Sequence, residues 1–128
     1  MNPAYEMILD RNRSPINSGI LEQPAIHIKD TNPLCGDEIE LFVNIENNEI
    51  QEMKFLLKGC SISRASTDIL CEYVIGKNVN EVVRIQNEEM TSLLGIEVSA
   101  MRLKCALLGL TALKKAMKEW KEKNGLTH

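Results

Sequence analysis

Four cysteines, Cys35, Cys60, Cys71 and Cys105, carry most of the reactive chemistry in this chain of 128 residues. Cys35 precedes an aspartate by two positions in NPLCGDEIELF. Gly36, between them, can adopt dihedrals closed to other residues, so the loop can curl until Cys35 and Asp37 face one pocket. The four thiols contain no C-x-x-C pair, which excludes a zinc ribbon and a thioredoxin-like site. If Cys35, Cys60 and Cys105 converge on Asp37, three thiolates and a carboxylate make a tetrahedral set for zinc or a ligand set for an iron–sulfur cluster. A carboxylate is a harder and weaker partner for iron than a thiolate, so such a site suits delivery better than storage. The competing reading for these three is buried core thiols. Cys71, mid-helix without a polar neighbour suited to metal, reads as a small core residue.

A hairpin and two helices must position these groups. Ile39, Leu41, Val43 and Ile45 alternate with Glu38, Glu40, Phe42 and Asn44, the period of a half-buried strand. ENNE is the turn, and Met53, Phe55 and Leu57 alternate with Glu52, Lys54 and Leu56 on the return strand. Counting outward from Asn47 and Asn48 sets Asp37 and Glu38 opposite Lys58 and Leu57, with Cys35 opposite Cys60 further out. AIHIKD supplies a further strand, and Pro3 to Asn12 a short amphipathic helix followed by a loop over RSPINSG. From Ser61, a candidate helix cap, the spacing of Ile62, Ala65, Ile69 and Val74 is helical, and Gly76 ends it. VNEVVRI and EEMTSLLG read as short helices. The last helix runs from about Ser99 to Glu122, with Met101, Cys105, Leu108, Ala112 and Ala116 in one stripe and Lys114, Lys118 and Lys121 opposite. Strands first and helices afterwards is the α+β order: a small antiparallel three-stranded sheet packed against helices, in one domain over residues 1–128.

Composition narrows the function. Apolar content of 44% and charged content of 26% are those of a globular chain. Aromatics at 4% argue against a stacking platform for single-stranded nucleic acid, and a net charge of −3 recruits neither DNA nor anionic lipid. No apolar run is long enough to span a membrane, and the charged opening MNPAYEMILDRNR lacks the core of a secretory signal, so the expectation is a cytoplasmic protein. His27 and His128 are the only histidines: His27 reads as a strand residue and His128 is terminal, which excludes a His-rich hydrolytic centre. No Ser–His–Asp arrangement or phosphate-binding glycine loop is present. Asp37 to Glu52 holds six acidic residues and no base, and Lys104 to Lys123 six lysines against two glutamates. These are solvated faces or docking surfaces.

NPLCGD, GCSISRAS and RLKC, in that order, resemble the iron–sulfur cluster assembly family of IscU, SufU and the NifU N-terminal domain. YEMILDRNRSPINSGIL is similar to that family's opening segment, so the resemblance spans nearly the whole chain. It implies a small antiparallel sheet covered on one face by helices, and the metal ligands Cys35, Asp37, Cys60 and Cys105. It further implies sulfur received as a persulfide from a pyridoxal-phosphate (PLP) cysteine desulfurase, then built into a [2Fe–2S] cluster or passed to apo iron–sulfur acceptors. The partners are proteins, with no nucleic acid or membrane, and the state is a monomer or weak dimer. Lys104 stands where IscU-type proteins have a histidine, and an ammonium cannot ligate metal without losing its proton. RLKC and GCSIS look like SufU, whose members hold zinc, yet the SufU insertion between the last two motifs is missing. The resemblance is therefore to a short SufU-like variant, a scaffold or sulfur carrier rather than a conventional enzyme. The alternative within it is a zinc-dependent sulfurtransferase that activates the desulfurase without holding a cluster. Cys35 is the expected sulfur acceptor, swinging on Gly36, with Arg102 and Lys104 as supporting cations. Arg102 could pair with Asp37, and its other reading is a solvated helix face.

Overall fold

The computed structural model describes residues 3–32 and 36–125. Alternation across three segments produces β1 (Ile26–Asn32), β2 (Asp37–Glu46) and β3 (Glu49–Lys58), one antiparallel sheet in the order β1-β2-β3. The β2–β3 turn is the ENNE of the sequence. Asn47 and Asn48 carry φ of 53° and 64°, the left-handed values that a two-residue hairpin loop demands and that asparagine tolerates.

The hairpin register differs from a straight count. Asn44 pairs with Glu52 but Ile45 with Ile50, so Gln51 bulges out without a partner. The extra residue moves the distal half by one: Lys58 faces Glu38 rather than Asp37, and Leu57 faces Ile39 rather than Glu38. Continued one step, this register sets Asp37 level with Gly59. The expected pairing of Cys35 with Cys60 is not tested, because Cys35 lies outside the described residues.

Among the described residues there are five helices: α1 (Pro3–Arg13), α2 (Ser61–Val74), α3 (Val79–Val83), α4 (Asn87–Leu94) and α5 (Ala100–Lys123). α5 packs across β1 and β2, α2 across β3, and α1 on the outer side of α2. The inward residues Ile39, Leu41, Val43, Met53 and Phe55 meet Leu70, Leu110, Leu113 and Met117 in the main core. Each large apolar side chain so buried contributes about 1.5–3 kcal/mol relative to exposure. On the other sheet face His27 stacks on Phe42 at 4.4 Å and its Nε2 lies 3.0 Å from Glu40, which makes it a strand residue.

Two expectations need correction. Ser61 does not cap α2: Cys60 occupies the N-cap position and Ser61 is the first helical residue. Met101 does not belong to the buried stripe of α5, being 89% exposed. Residues 101–104 are all exposed because the first turn of α5 runs past the packed layers, and the stripe begins at Cys105.

Candidate metal centre

Three elements end at one place. Asp37 opens β2, directly after Gly36, whose φ of 75° is the left-handed turn expected there. The Gly36 amide donates to the Asn32 carbonyl at 2.8 Å, and Asn32 pairs with Asp37 as the last rung of β1–β2. This closes the loop between the two strands. Cys60 stands at the head of α2, and Cys105 follows the exposed first turn of α5. One oxygen of Asp37 and the sulfurs of Cys60 and Cys105 all lie within 4.8 Å of one another. Asp37 and Cys105 are buried and Cys60 is partly exposed.

The donor set fits a thiophilic metal. Ligands about 2.0–2.3 Å from a tetrahedral ion stand on the order of 3.5–4 Å apart, so small side-chain adjustments close these three around zinc. Asp37 is seated for the role. A Cβ at Gly59 would come 2.7 Å from Asp37 Cγ, so a glycine is required there by the carboxylate rather than by its own backbone angles. Ser63 donates its hydroxyl proton to Asp37 Oδ2, and its Oγ lies 3.2 Å from Cys60 Sγ.

Electrostatics separate the thiols. Burial alone would raise the Cys60 pKa, but the Ser63 and Ile62 amides and Cys105 hold it below that of a free thiol. A sulfur at the N-terminus of a helix, with amides directed at it, is favoured as thiolate. Cys71, on the same helix, is pushed far above the ordinary range by burial, with Asp68 and Glu72 adding to it. It lies in the main core, as the sequence reading expects.

Asp37, Cys60 and Cys105 are thus together, whereas Cys35 and His128 lie outside the described residues. Arg102 and Lys104 are exposed, and among the described residues neither forms an ion pair with Asp37. Arg102 lies on the exposed first turn of α5 and does not pair with the buried acid, whose Oδ2 accepts from Ser63 of α2. Ser63 and Gly59 are the site residues that sequence reasoning missed. The available signal was a polar residue at the third position of a helix, from which a side chain reaches back to the N-cap. A second missed cluster ties α1 to α2: buried Asp68 accepts from Arg11 at 2.9 Å and from the Asn17 amide at 2.7 Å, and Arg11 also bonds Glu72.

Residues 4–127 match the NifU-like N terminal domain. The chain belongs to that family. It is 30% identical to the iron-sulfur cluster assembly scaffold protein IscU of Haemophilus influenzae, over 94% of this chain and 97% of the relative. It is 29% identical to the zinc-dependent sulfurtransferase SufU of Bacillus subtilis, over 88% of this chain and 87% of the relative. A crystal structure from Fervidobacterium islandicum, described as an iron-sulfur cluster assembly scaffold protein for the SUF system, superposes with a TM-score of 0.76. That match has 27% identity and covers 88% of this chain and 95% of the other. The three-stranded antiparallel sheet with five helices is the fold expected for this family. No helix among the described residues is long and apolar enough to cross a membrane.

Proposed function

We propose that this chain is an iron–sulfur cluster assembly protein that takes persulfide sulfur from a PLP-dependent cysteine desulfurase and assembles or relays it for [2Fe–2S] clusters. The observation that carries the reading is the convergence of Asp37, Cys60 and Cys105 within 4.8 Å at the sheet end, with Cys35 adjoining Gly36 in the chain. Cys35, Asp37, Cys60 and Cys105 are the proposed ligands. A bound metal supplies charge that keeps the thiols deprotonated at neutral pH.

Cys35 is the proposed sulfur acceptor. Its thiolate attacks the outer sulfur of the desulfurase persulfide, the donor's S–S bond breaks, and the electron pair leaves with the donor thiolate. The new S–S bond resides on Cys35, and no net oxidation occurs. Asp37, seated by Gly59 and Ser63, stays with Cys60 and Cys105. The apo acceptors are proteins lacking their cluster, and the compartment proposed is the cytoplasm.

A second reading is a zinc-dependent sulfurtransferase that activates the desulfurase and holds no cluster. Lys104 favours it, because the position before Cys105 offers an ammonium in place of a neutral imidazole ligand. Incubation with a cysteine desulfurase and cysteine, followed by peptide mass mapping, should add one sulfur atom to Cys35, and Cys35→Ser should add none. Unchanged uptake by Cys35→Ser overturns the acceptor assignment. Anaerobic iron and sulfide then divide the readings: a brown, absorbing protein is the scaffold, and a colourless zinc protein that speeds the desulfurase is the relay.

A further inference from the structure

Ser63 is wholly buried, and its one hydroxyl touches two of the three gathered donors. Those donors come from different elements, Asp37 from the start of β2 and Cys60 from the cap of α2. Ser63 is itself rigidly held. Its carbonyl accepts from Thr67 Oγ1 at 2.8 Å and from Ser66 Oγ at 3.3 Å. Thr67 in turn abuts α5 so closely that a Cβ at Gly109 would stand 2.7 Å from its Oγ1. Ser63, α2 and α5 are therefore locked together at the level of the site. The Asp37 carboxylate also fills the space that a Cβ at Gly59 would take, 2.7 Å from its Cγ.

We propose that Ser63 is a positioning residue of the metal site, whose hydroxyl fixes the orientation of Asp37 and the placement of Cys60 before the ion arrives. This deepens the metal-site reading and rests on it. The physical reason is that a carboxylate on a strand end has two free torsions. A donor hydroxyl on one oxygen removes that freedom in advance, so less ordering is left to the binding step. Outer groups that orient metal ligands typically govern 10–100-fold of affinity.

The test is zinc affinity by chelator competition on the full chain, with the visible spectrum of the cobalt-loaded chain as a report on ligand geometry. Ser63→Ala should weaken zinc binding by about 10–100-fold and shift the cobalt bands, while the metal-free chain melts as wild type does. Ser63→Thr, which keeps the hydroxyl, should retain most of the affinity. Ser92→Ala, on α4 and bonded only to the Glu89 carbonyl, should leave both readouts unchanged. In an Asp37→Ala background, Ser63→Ala should lose most of its effect. Equal affinity for Ser63→Ala and wild type, full additivity with Asp37→Ala, or a metal-free Ser63→Ala chain that is unfolded each overturns the positioning role. A wild-type chain that takes up neither zinc nor cobalt overturns the metal-site reading beneath it.

Discussion

Cys60 and Cys71 belong to the same helical unit and differ in almost everything that matters to a thiol. Cys60 stands at the N-cap position of α2, partly exposed, beside Ser63, Cys105 and the first amides of the helix, and its pKa lies below the ordinary value. Cys71 lies in the body of α2, in the main core, where desolvation makes its thiolate inaccessible. The difference is one of position rather than of residue type. A helix offers uncommitted N–H groups at its start and none in its middle, so only the first cysteine meets partners for a negative charge.

The largest expected effect is therefore chemical. Alkylation of the native, metal-free chain with iodoacetamide should label Cys60 and spare Cys71, while in denaturant both react. As pH rises, the Cys60 thiolate should appear at lower pH than the thiolate of a free cysteine measured alongside. Labelling of native Cys71 at a rate near that of Cys60 would erase the distinction. A smaller effect is expected from Gly59→Ala, which brings a methyl against Asp37. It should cost about 1–3 kcal/mol of stability by overpacking and reduce metal uptake, read by denaturant melts and by metal analysis. An unaltered melt and full uptake would mean that Asp37 has more room than the close approach allows.

The difference between local and long-range causes also explains what the sequence disclosed. The β2 alternation, the Asn47–Asn48 turn and the α5 stripe from Cys105 onward are short-range patterns, and each folds as its period says. The bulge at Gln51 is not a short-range pattern: its neighbours carry no glycine or proline to mark it, and it displaced the distal pairing by one. Met101 fits the helical period yet is exposed, because periodicity cannot tell where the layer beneath a helix stops. At the site, the motifs point to Asp37, Cys60 and Cys105, but a serine three residues into a helix and a glycine before its cap look ordinary until β2 is placed against them. The Arg11–Asp68 contact likewise joins residues far apart in the chain and has no local signature.

The central claim, that Cys60 belongs to a metal site and Cys71 does not, is tested most directly by elemental analysis for zinc and iron. The chain is purified anaerobically without a tag and dialysed before measurement, alongside Cys60→Ser, Cys105→Ser and Cys71→Ser. Bound metal is expected in wild type and in Cys71→Ser, which loses only about 1–3 kcal/mol of stability from a buried hydroxyl. In Cys60→Ser and Cys105→Ser the loss should be larger than the 10–100-fold typical of outer groups. A wild-type chain without metal, or a Cys60→Ser chain as fully loaded as wild type, would contradict that claim.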